Sequence, residues 1–537
     1  MKSLKTLLLS AALGTAAIAP LANAADPGEE VIARVLATGA KPPVMAPARG
    51  DEAQGPYGQL LITNVNIIDG TGAPTQGPYS ILIEGNRIVS IGEASGGAAA
   101  KSAARIIDGE GGYILPGFID THDHIGTPNH IYGGELTDPG YVFKLMLAHG
   151  ITTIRDVGSM MGLKWTLEHK KLSEEGKITA PRVVSYAVFP AKTATVEEAV
   201  KWVKAVHKTG ADGVKFLGAD PKVFAAAIKE INALGMGSAY HHSQTSVTRH
   251  NALDSARLGV QSIEHWYGLP EAMFEDRTVQ HYPNDYNYNN EQDRFGQAGR
   301  LWQQTAKPGS ERWNSTIREL VELDVTLDPT FSIYEASRDL MRARTQEWLP
   351  DYGMPYILKA FEANPEAHGS FFFNWTTADE IAWRQNYELW MQFVRDFKNA
   401  GGRVTVGPDT GFIYSIYGFG YVRELEMLQE AGFHPLEVIR AATLNGAELL
   451  RKEDDYGTVA VGKRADLVLV KENLLANFKQ LYGTGFPHYD FETHQNVRTN
   501  GIRYTIRDGI VFDVPKLLEQ VRDAVKAKNA EYSAKAD

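Results

Sequence analysis

Two histidines two residues apart, His122 and His124, close the run Ile114-Leu115-Pro116-Gly117-Phe118-Ile119-Asp120-Thr121-His122-Asp123-His124. In an extended strand alternate side chains share a face, so this spacing aims both imidazoles at one point. Two neutral nitrogens converging there suit zinc or another divalent first-row metal. Lys215, His241 and His265 each end a further β-rich run, with separations of 26 and 24 residues that each approximate one strand-helix unit. His242 is the alternative to His241, because a one-residue shift at a strand end swaps which neighbour faces inward. Asp409 ends Arg403-Val404-Thr405-Val406-Gly407-Pro408-Asp409 in the same manner. A lysine facing a barrel interior is costly unless it is paired with an acid or chemically modified, and both readings of Lys215 stand at this point. The 537-residue chain has no cysteine, so any metal must be held by nitrogen and oxygen, and disulfides and a thiol nucleophile are excluded. There is no Gly-x-Ser-x-Gly to suggest a serine nucleophile.

The elements that must position these groups alternate in type. Thr195-Val196-Glu197-Glu198 reads as a capping box, Val196, Val200, Val203 and Val206 follow at mostly helical spacing, and Gly210 suits the helix stop before Gly213-Val214-Lys215-Phe216-Leu217. Asp220-Pro221 opens the next helix, and Ser238-Ala239-Tyr240-His241 follows as a strand. Repeated units of this length predict an α/β fold with a (β/α)8 TIM barrel, whose chemistry sits at the C-terminal ends of the strands. The flanks read differently. Residues 59–115 and 455–515 are rich in short β runs, including a hairpin over Ser80–Ile91 around Gly85-Asn86, and strands from both ends are able to build one small sheet domain. The barrel is expected over 116–454 and an extended N-terminal arm over 25–58, where Pro, Gly and Ala dominate. A C-terminal helix over 516–537 carries Leu517, Leu518, Val521 and Val525 on one face, which can pack on its own barrel or on a second copy and leaves homo-oligomerisation open.

Residues 1–24 read as a secretory signal: Lys2 and Lys5 precede an apolar run and then Ala22-Asn23-Ala24, which predicts an exported protein, periplasmic or secreted. That apolar run is shorter than the ~18 residues a spanning helix requires, and no later segment supplies a membrane span. With 54 Lys and Arg against 65 Asp and Glu, the net charge of −11 supplies no basic field for a nucleic acid partner.

Taken together, residues 59–515 resemble the amidohydrolase superfamily, especially its secreted imidazolonepropionase-like and prolidase-like branch. The most specific stretches are Pro116-Gly117-Phe118-Ile119-Asp120-Thr121-His122-Asp123-His124, Gly150-Ile151-Thr152-Thr153-Ile154-Arg155-Asp156, Ser262-Ile263-Glu264-His265 and Gly462-Lys463-Arg464-Ala465-Asp466-Leu467-Val468. The resemblance implies a (β/α)8 barrel with a β-sandwich built from both ends of the chain, and a centre of two divalent metal ions with zinc the expected metal. It implies that His122, His124 and Asp409 bind one ion, that His241 and His265 bind the other, and that Lys215 carries a carbamate bridging both. A metal-bridging hydroxide then attacks a carbonyl while Asp409 shuttles the proton. The expected reaction is hydrolysis of a C–N bond in a small amide, a dipeptide or an N-acyl amino acid. Lactone or phosphoester hydrolysis, deamination of a heterocycle and a non-catalytic binding role are the alternatives on the same scaffold.

From His265 to Asp409 the spacing departs from the pattern, since 144 residues serve two units. Insertions are expected at about 266–320 and 332–400, on either side of a strand at Val325–Phe331. The first carries His281, Tyr282, Tyr286, Tyr288, Phe295 and Trp302, and the second Trp348, Tyr352, Tyr356, Phe371, Phe372, Phe373 and Trp375. Aromatics at the active rim suit either a lid over an apolar substrate, with His281, Tyr282 and Tyr286 as candidate substrate contacts, or a packed structural excursion.

Overall fold

A computed structural model describes residues 27–93, 103–364, 369, 372 and 374–536; the expected signal segment 1–24 lies outside the described residues, as do Phe371 and Phe373. Eight parallel strands pair in chain order: β1 (Phe118–Asp123), β2 (Ile151–Val157), β3 (Arg182–Val188), β4 (Gly213–Phe216), β5 (Gly237–Tyr240), β6 (Ser262–Glu264), β7 (Thr326–Asp328) and β8 (Arg403–Val404). The last returns to the first, because Thr121 N–H donates to Val406 O and Asp409 N–H to His122 O, each at 2.9 Å. The expected TIM barrel is thus present. Helices cover its outer face, as buried parallel strands require. The Val196–Thr209 helix opens on the Thr195–Glu198 capping box and ends at Gly210 with φ of 89°, and the Pro221–Ala233 helix is capped by Asp220.

The barrel interior is polar. Thr121 Oγ1 donates to Asp328 Oδ2 at 2.6 Å, Thr405 Oγ1 to the same oxygen at 3.3 Å, and Arg155 Nη1 to Ser262 Oγ at 2.9 Å. Alternation along β2 turns Ile154 out to the helices and Arg155 in to this lattice, so the hydrophobic core lies mainly between barrel and helices.

Strands from both ends of the chain form one nine-stranded sheet. Leu467–Val470 stands between Tyr113–Pro116 and Ile502–Arg507, antiparallel to both, with Leu467 opposite Pro116 and Ile506. The expected hairpin pairs Glu84 with Arg87. Leu60, Ile62, Ile81, Ile83, Leu467 and Ile506 bury together as its core. The Val514–Ala536 helix buries Leu517, Leu518, Val521 and Val525 against the Pro139–Ala148 and Leu349–Tyr352 helices of its own chain, which settles the choice between its own barrel and a second copy for that face. No helix among the described residues is long and apolar enough to cross a membrane.

Three expectations are corrected. The arm over 25–58 opens with a helix, Pro27–Ala37, because Ile32 and Val35 recur at helical spacing and bury, and it ends in the strand Ala53–Gln54, paired with Ile510–Asp513. The strand expected at Val325–Phe331 is only Thr326–Asp328; Thr330 adopts φ of 52° and Phe331–Tyr334 forms a 3-10 turn. The insertions are shorter than expected, since Glu311–Glu322 and Thr377–Asn399 are the ordinary helices covering the sixth and seventh strand units.

Barrel and sheet are joined by charge. Arg182, at the start of β3, lies 2.7 Å from Asp466 and 2.9 Å from Asp508, with its guanidinium 4.7 Å from the Tyr456 ring centre. Removing one partner of such a buried cluster strands the others, so Arg182→Ala is expected to cost about 3–5 kcal/mol, read as a lower midpoint in denaturant unfolding. Burial opposes ionisation of Asp508, but Arg182 and Arg507 outweigh it and hold its carboxyl below the usual range. That contribution is complete above the ordinary aspartate value near about 4 and is lost as pH falls through the depressed one. Wild type should therefore lose stability below about pH 4 more steeply than Asp508→Asn.

Candidate metal centre and active site

Each expected ligand sits at the C-terminal end of its strand. Lys215 lies within β4 and is buried. His265 and Asp409 follow their strands with φ of 63° and 53°, left-handed values uncommon outside glycine. Observed strain of this kind clusters at functional sites. Gly407 makes the closure possible, because a Cβ there would lie 2.3 Å from His122 Cβ.

The side chains converge on Asp409. Its Oδ1 is 3.4 Å from His124 Nε2, and its Oδ2 is 3.9 Å from His122 Nε2 and 3.8 Å from His265 Nε2. Lys215 Nζ lies 3.5 Å from His122 Nε2. The His265 ring centre is 4.8 Å from that of His122 and 4.4 Å from that of His241. All six expected residues therefore meet at one rim. His242 turns away: its Nε2 lies 2.6 Å from Ser255 Oγ and its ring stacks on Tyr240 at 3.9 Å, leaving His241 to face the barrel mouth.

The donor set fits divalent cations. Asp409 Oδ1 is buried and satisfied by no hydrogen bond among the described residues. The separations of 3.4–3.9 Å exceed ordinary hydrogen bonds and suit groups ranged around a shared ion. Burial opposes ionisation of Asp409, but His122 and His124 prevail and hold it at about 2. Burial lowers His122 to about 4 and takes His241 and His265 well below the usual histidine value, so these rings are neutral at neutral pH, the form a metal ligand requires. His124 moves the other way: burial is outweighed by Asp156 and Asp409, which raise it to about 9. Burial brings Lys215 down to about 8, so part of it is the free amine that addition of carbon dioxide requires.

Beneath the cluster lies a set of charges that sequence reasoning missed. Glu264 contacts His122 Nδ1, and Arg155 Nη2 donates to Glu264 at 3.0 and 3.2 Å while lying 3.6 Å from Asp328. His122, Glu264 and Asp328 are close enough to suggest a second metal position. Arg155 already supplies the cation there, and the trio is an ion network that orients His122. His265 Nδ1 is fixed in turn by Thr330 Oγ1 at 2.5 Å. Glu264 was visible in the sequence beside His265, and Asp328 at a strand end, but nothing local marked them as partners of residues near 122 and 155.

Of the candidate substrate contacts, Tyr282 and Tyr286 stack on each other at 4.2 Å, and Tyr286 Oη donates to Gln244 at 3.3 Å. His281 is exposed with its backbone N–H held by Gln304, and its expected place at the substrate is not supported. Tyr267 and Tyr334, which were not singled out, stand nearer: their ring centres lie 5.8 Å from His241 and 5.9 Å from His265.

Comparison with known proteins bears on the fold and on part of the sequence. Residues 391–510 match the amidohydrolase family. An adenine deaminase of Staphylothermus marinus is 34% identical over 108 residues, 19% of this chain and 17% of its own length. A dihydroorotase of Thermus aquaticus is 38% identical over 69 residues, 13% of this chain and 14% of its own. The chain thus aligns with under a fifth of the length of either curated relative. Among solved structures, a Xaa-Pro dipeptidase with bound methionine superposes with a TM-score of 0.56 at 17% identity, over 85% of this chain and all of its own. A bottromycin amidohydrolase gives 0.60 at 18% identity, over 95% of this chain and 94% of its own. These structures share the fold. The chain therefore carries an amidohydrolase family match over residues 391–510 and shares the overall fold of these solved structures.

Because Glu264 holds the His122 ring from behind, Glu264→Gln is expected to weaken metal affinity about 10- to 100-fold in chelator competition if His122 is a ligand. His241→Ala should lose bound metal while His242→Ala keeps it; the reverse pattern would exchange their roles.

Proposed function

We propose that the protein is an exported, binuclear metal-dependent amidohydrolase that cleaves a C–N bond in a small substrate such as a dipeptide or an N-acyl amino acid. The observation that carries this reading is Asp409, whose carboxylate is ringed by His122, His124 and His265 within 4 Å and has a buried oxygen that no hydrogen bond satisfies among the described residues. His122, His124 and Asp409 would hold one ion and His241 and His265 the other, with a carbamate on Lys215 between them. Divalent ions bound there, zinc by preference, polarise a carbonyl and lower the pKa of water to about 7. Glu264 and Thr330 fix the rings of His122 and His265 from behind, leaving each Nε2 towards Asp409. Asp409, held ionised at about 2, accepts the proton of the attacking water and returns it to the departing nitrogen. Tyr267 and Tyr334 wall the site beside His241 and His265 and restrict bulk water. Export rests on the signal-like residues 2–24.

A second reading, deamination of a heterocycle, is favoured by the adenine deaminase relatives. Lys215 decides between the two: its buried amine lies 3.5 Å from His122 and 3.9 Å from Glu264, and left as an amine paired with that acid it suits the deaminase, whereas as a carbamate it supplies the anionic ligand of the binuclear reading.

Metal analysis and a substrate screen test the proposal together. Protein purified without chelator and with bicarbonate should hold about two transition-metal equivalents and release amines from N-acyl amino acids or dipeptides. Asp409→Asn should lower kcat by about 10²–10⁴. One equivalent of metal with ammonia released from adenine would favour the deaminase, and full activity in Asp409→Asn would remove the proton shuttle.

A further inference from the structure

The first insertion places an unpaired cation beside the metal cluster. Arg294 lies on the Glu291–Ala298 helix and is half-buried. Its guanidinium carbon is 4.6 Å from the Tyr288 ring centre and 5.0 Å from that of Phe295. Its Nε is buried, and neither hydrogen bond nor ion pair satisfies that atom among the described residues. The nearest acid on its own helix, Glu291, is turned elsewhere, accepting from Gly369 N–H at 3.1 Å. Arg294 reaches the site through its packing neighbours: the Phe295 ring centre lies 6.4 Å from that of Tyr334, which in turn is 5.9 Å from the His265 ring.

Glu291 supports the Arg294 charge from a distance, but an arginine desolvated between aromatic faces with no carboxylate in ion-pair reach among the described residues is expensive unless an anion completes it. Tyr267 supplies a second donor, because its Oη is buried without a well-formed hydrogen bond among the described residues and its ring lies 5.8 Å from His241. A planar guanidinium with a neighbouring phenol hydroxyl matches a carboxylate, whose two oxygens accept in one plane. The flanking Tyr288 and Phe295 rings favour an apolar group next to that carboxylate.

We propose that Arg294 is a specificity-determining residue that binds a carboxylate carried by the substrate, with Tyr267 as a second donor. This deepens the amidohydrolase reading above and rests on it for the reaction, but not for the binding step. It selects N-acyl amino acids and dipeptides with a free carboxylate over neutral amides, lactones and uncharged heterocycles. The anchor belongs to the insertion between β6 and β7, outside the repeating strand-helix unit.

The test is binding by calorimetry to the metal-loaded full chain, with N-acetyl-L-phenylalanine and its carboxamide as a matched pair. Wild type should bind the carboxylate roughly 10- to 100-fold more tightly than the carboxamide, the range expected for charge-assisted hydrogen bonds. Arg294→Gln should bring that ratio close to one, and Arg294→Lys should restore part of it. A ratio near one in wild type, binding of neither compound, or a ratio unchanged in Arg294→Gln would overturn the proposal and leave the arginine a packing element of the insertion. A collapsed ratio with circular dichroism and metal content preserved supports it. If the ratio collapses as expected but wild type cleaves neither compound nor any peptide, the amidohydrolase reading fails while the carboxylate site stands.

Discussion

Arg155 is the charge on which the centre depends. It lies wholly inside the barrel, where an unpaired guanidinium would be prohibitive, and it is satisfied by Glu264, Ser262 and the Thr121 carbonyl with Asp328 close by. Glu264 in turn holds His122, and Asp328 holds Thr121 and Thr405, so one cation organises β1, β2, β6, β7 and β8 at once. The hydrophobic layer outside the barrel fixes where the strands run. The polar lattice inside fixes how their last residues are turned, and a metal centre needs the second kind of precision.

That division explains which parts were legible in the sequence. His122, His124, Lys215, His241, His265 and Asp409 were recoverable because each ends a β-rich run and because units of near-constant length bring strand ends to one rim. The capping box at Thr195 and the turn at Gly85-Asn86 were legible because their chemistry is local. His241 and His242 could not be separated from sequence, since the choice depends on where β5 stops, and only the packing of His242 on Tyr240 and Ser255 decides it. Arg155 and Glu264 stood within quoted motifs, but their pairing with each other and with Asp328 was not legible, because the partners lie up to 173 positions apart and no periodicity links them. The helix at Pro27–Ala37 was hidden by composition, since Pro, Gly and Ala around it outweighed two well-spaced apolar residues.

The insertions show the same limit of local reading from the other side. Their aromatic content allowed a lid or a structural excursion, and burial favours the second for most of it. Trp302 and Trp313 are fully buried, with Trp302 5.3 Å from Phe393 on the covering helix, and Trp348 stacks on Phe419 at 4.9 Å. Trp266 lies 5.2 Å from Trp383 and 4.8 Å from Trp390, and Tyr334 packs on Trp383 at 5.6 Å. Tyr334 is the end of that stack which reaches His265. The wall of the site is therefore the inner edge of a tryptophan-rich core, close-packed and slow to deform. A wall of that kind discriminates by fixed shape, whereas the half-buried Tyr282, Tyr286 and Tyr288 can adjust at the rim. The pocket above the His122–His265 cluster is thus bounded by a rigid aromatic floor on one side and by half-buried tyrosines on the other, so its floor has little freedom to adjust and its rim has more.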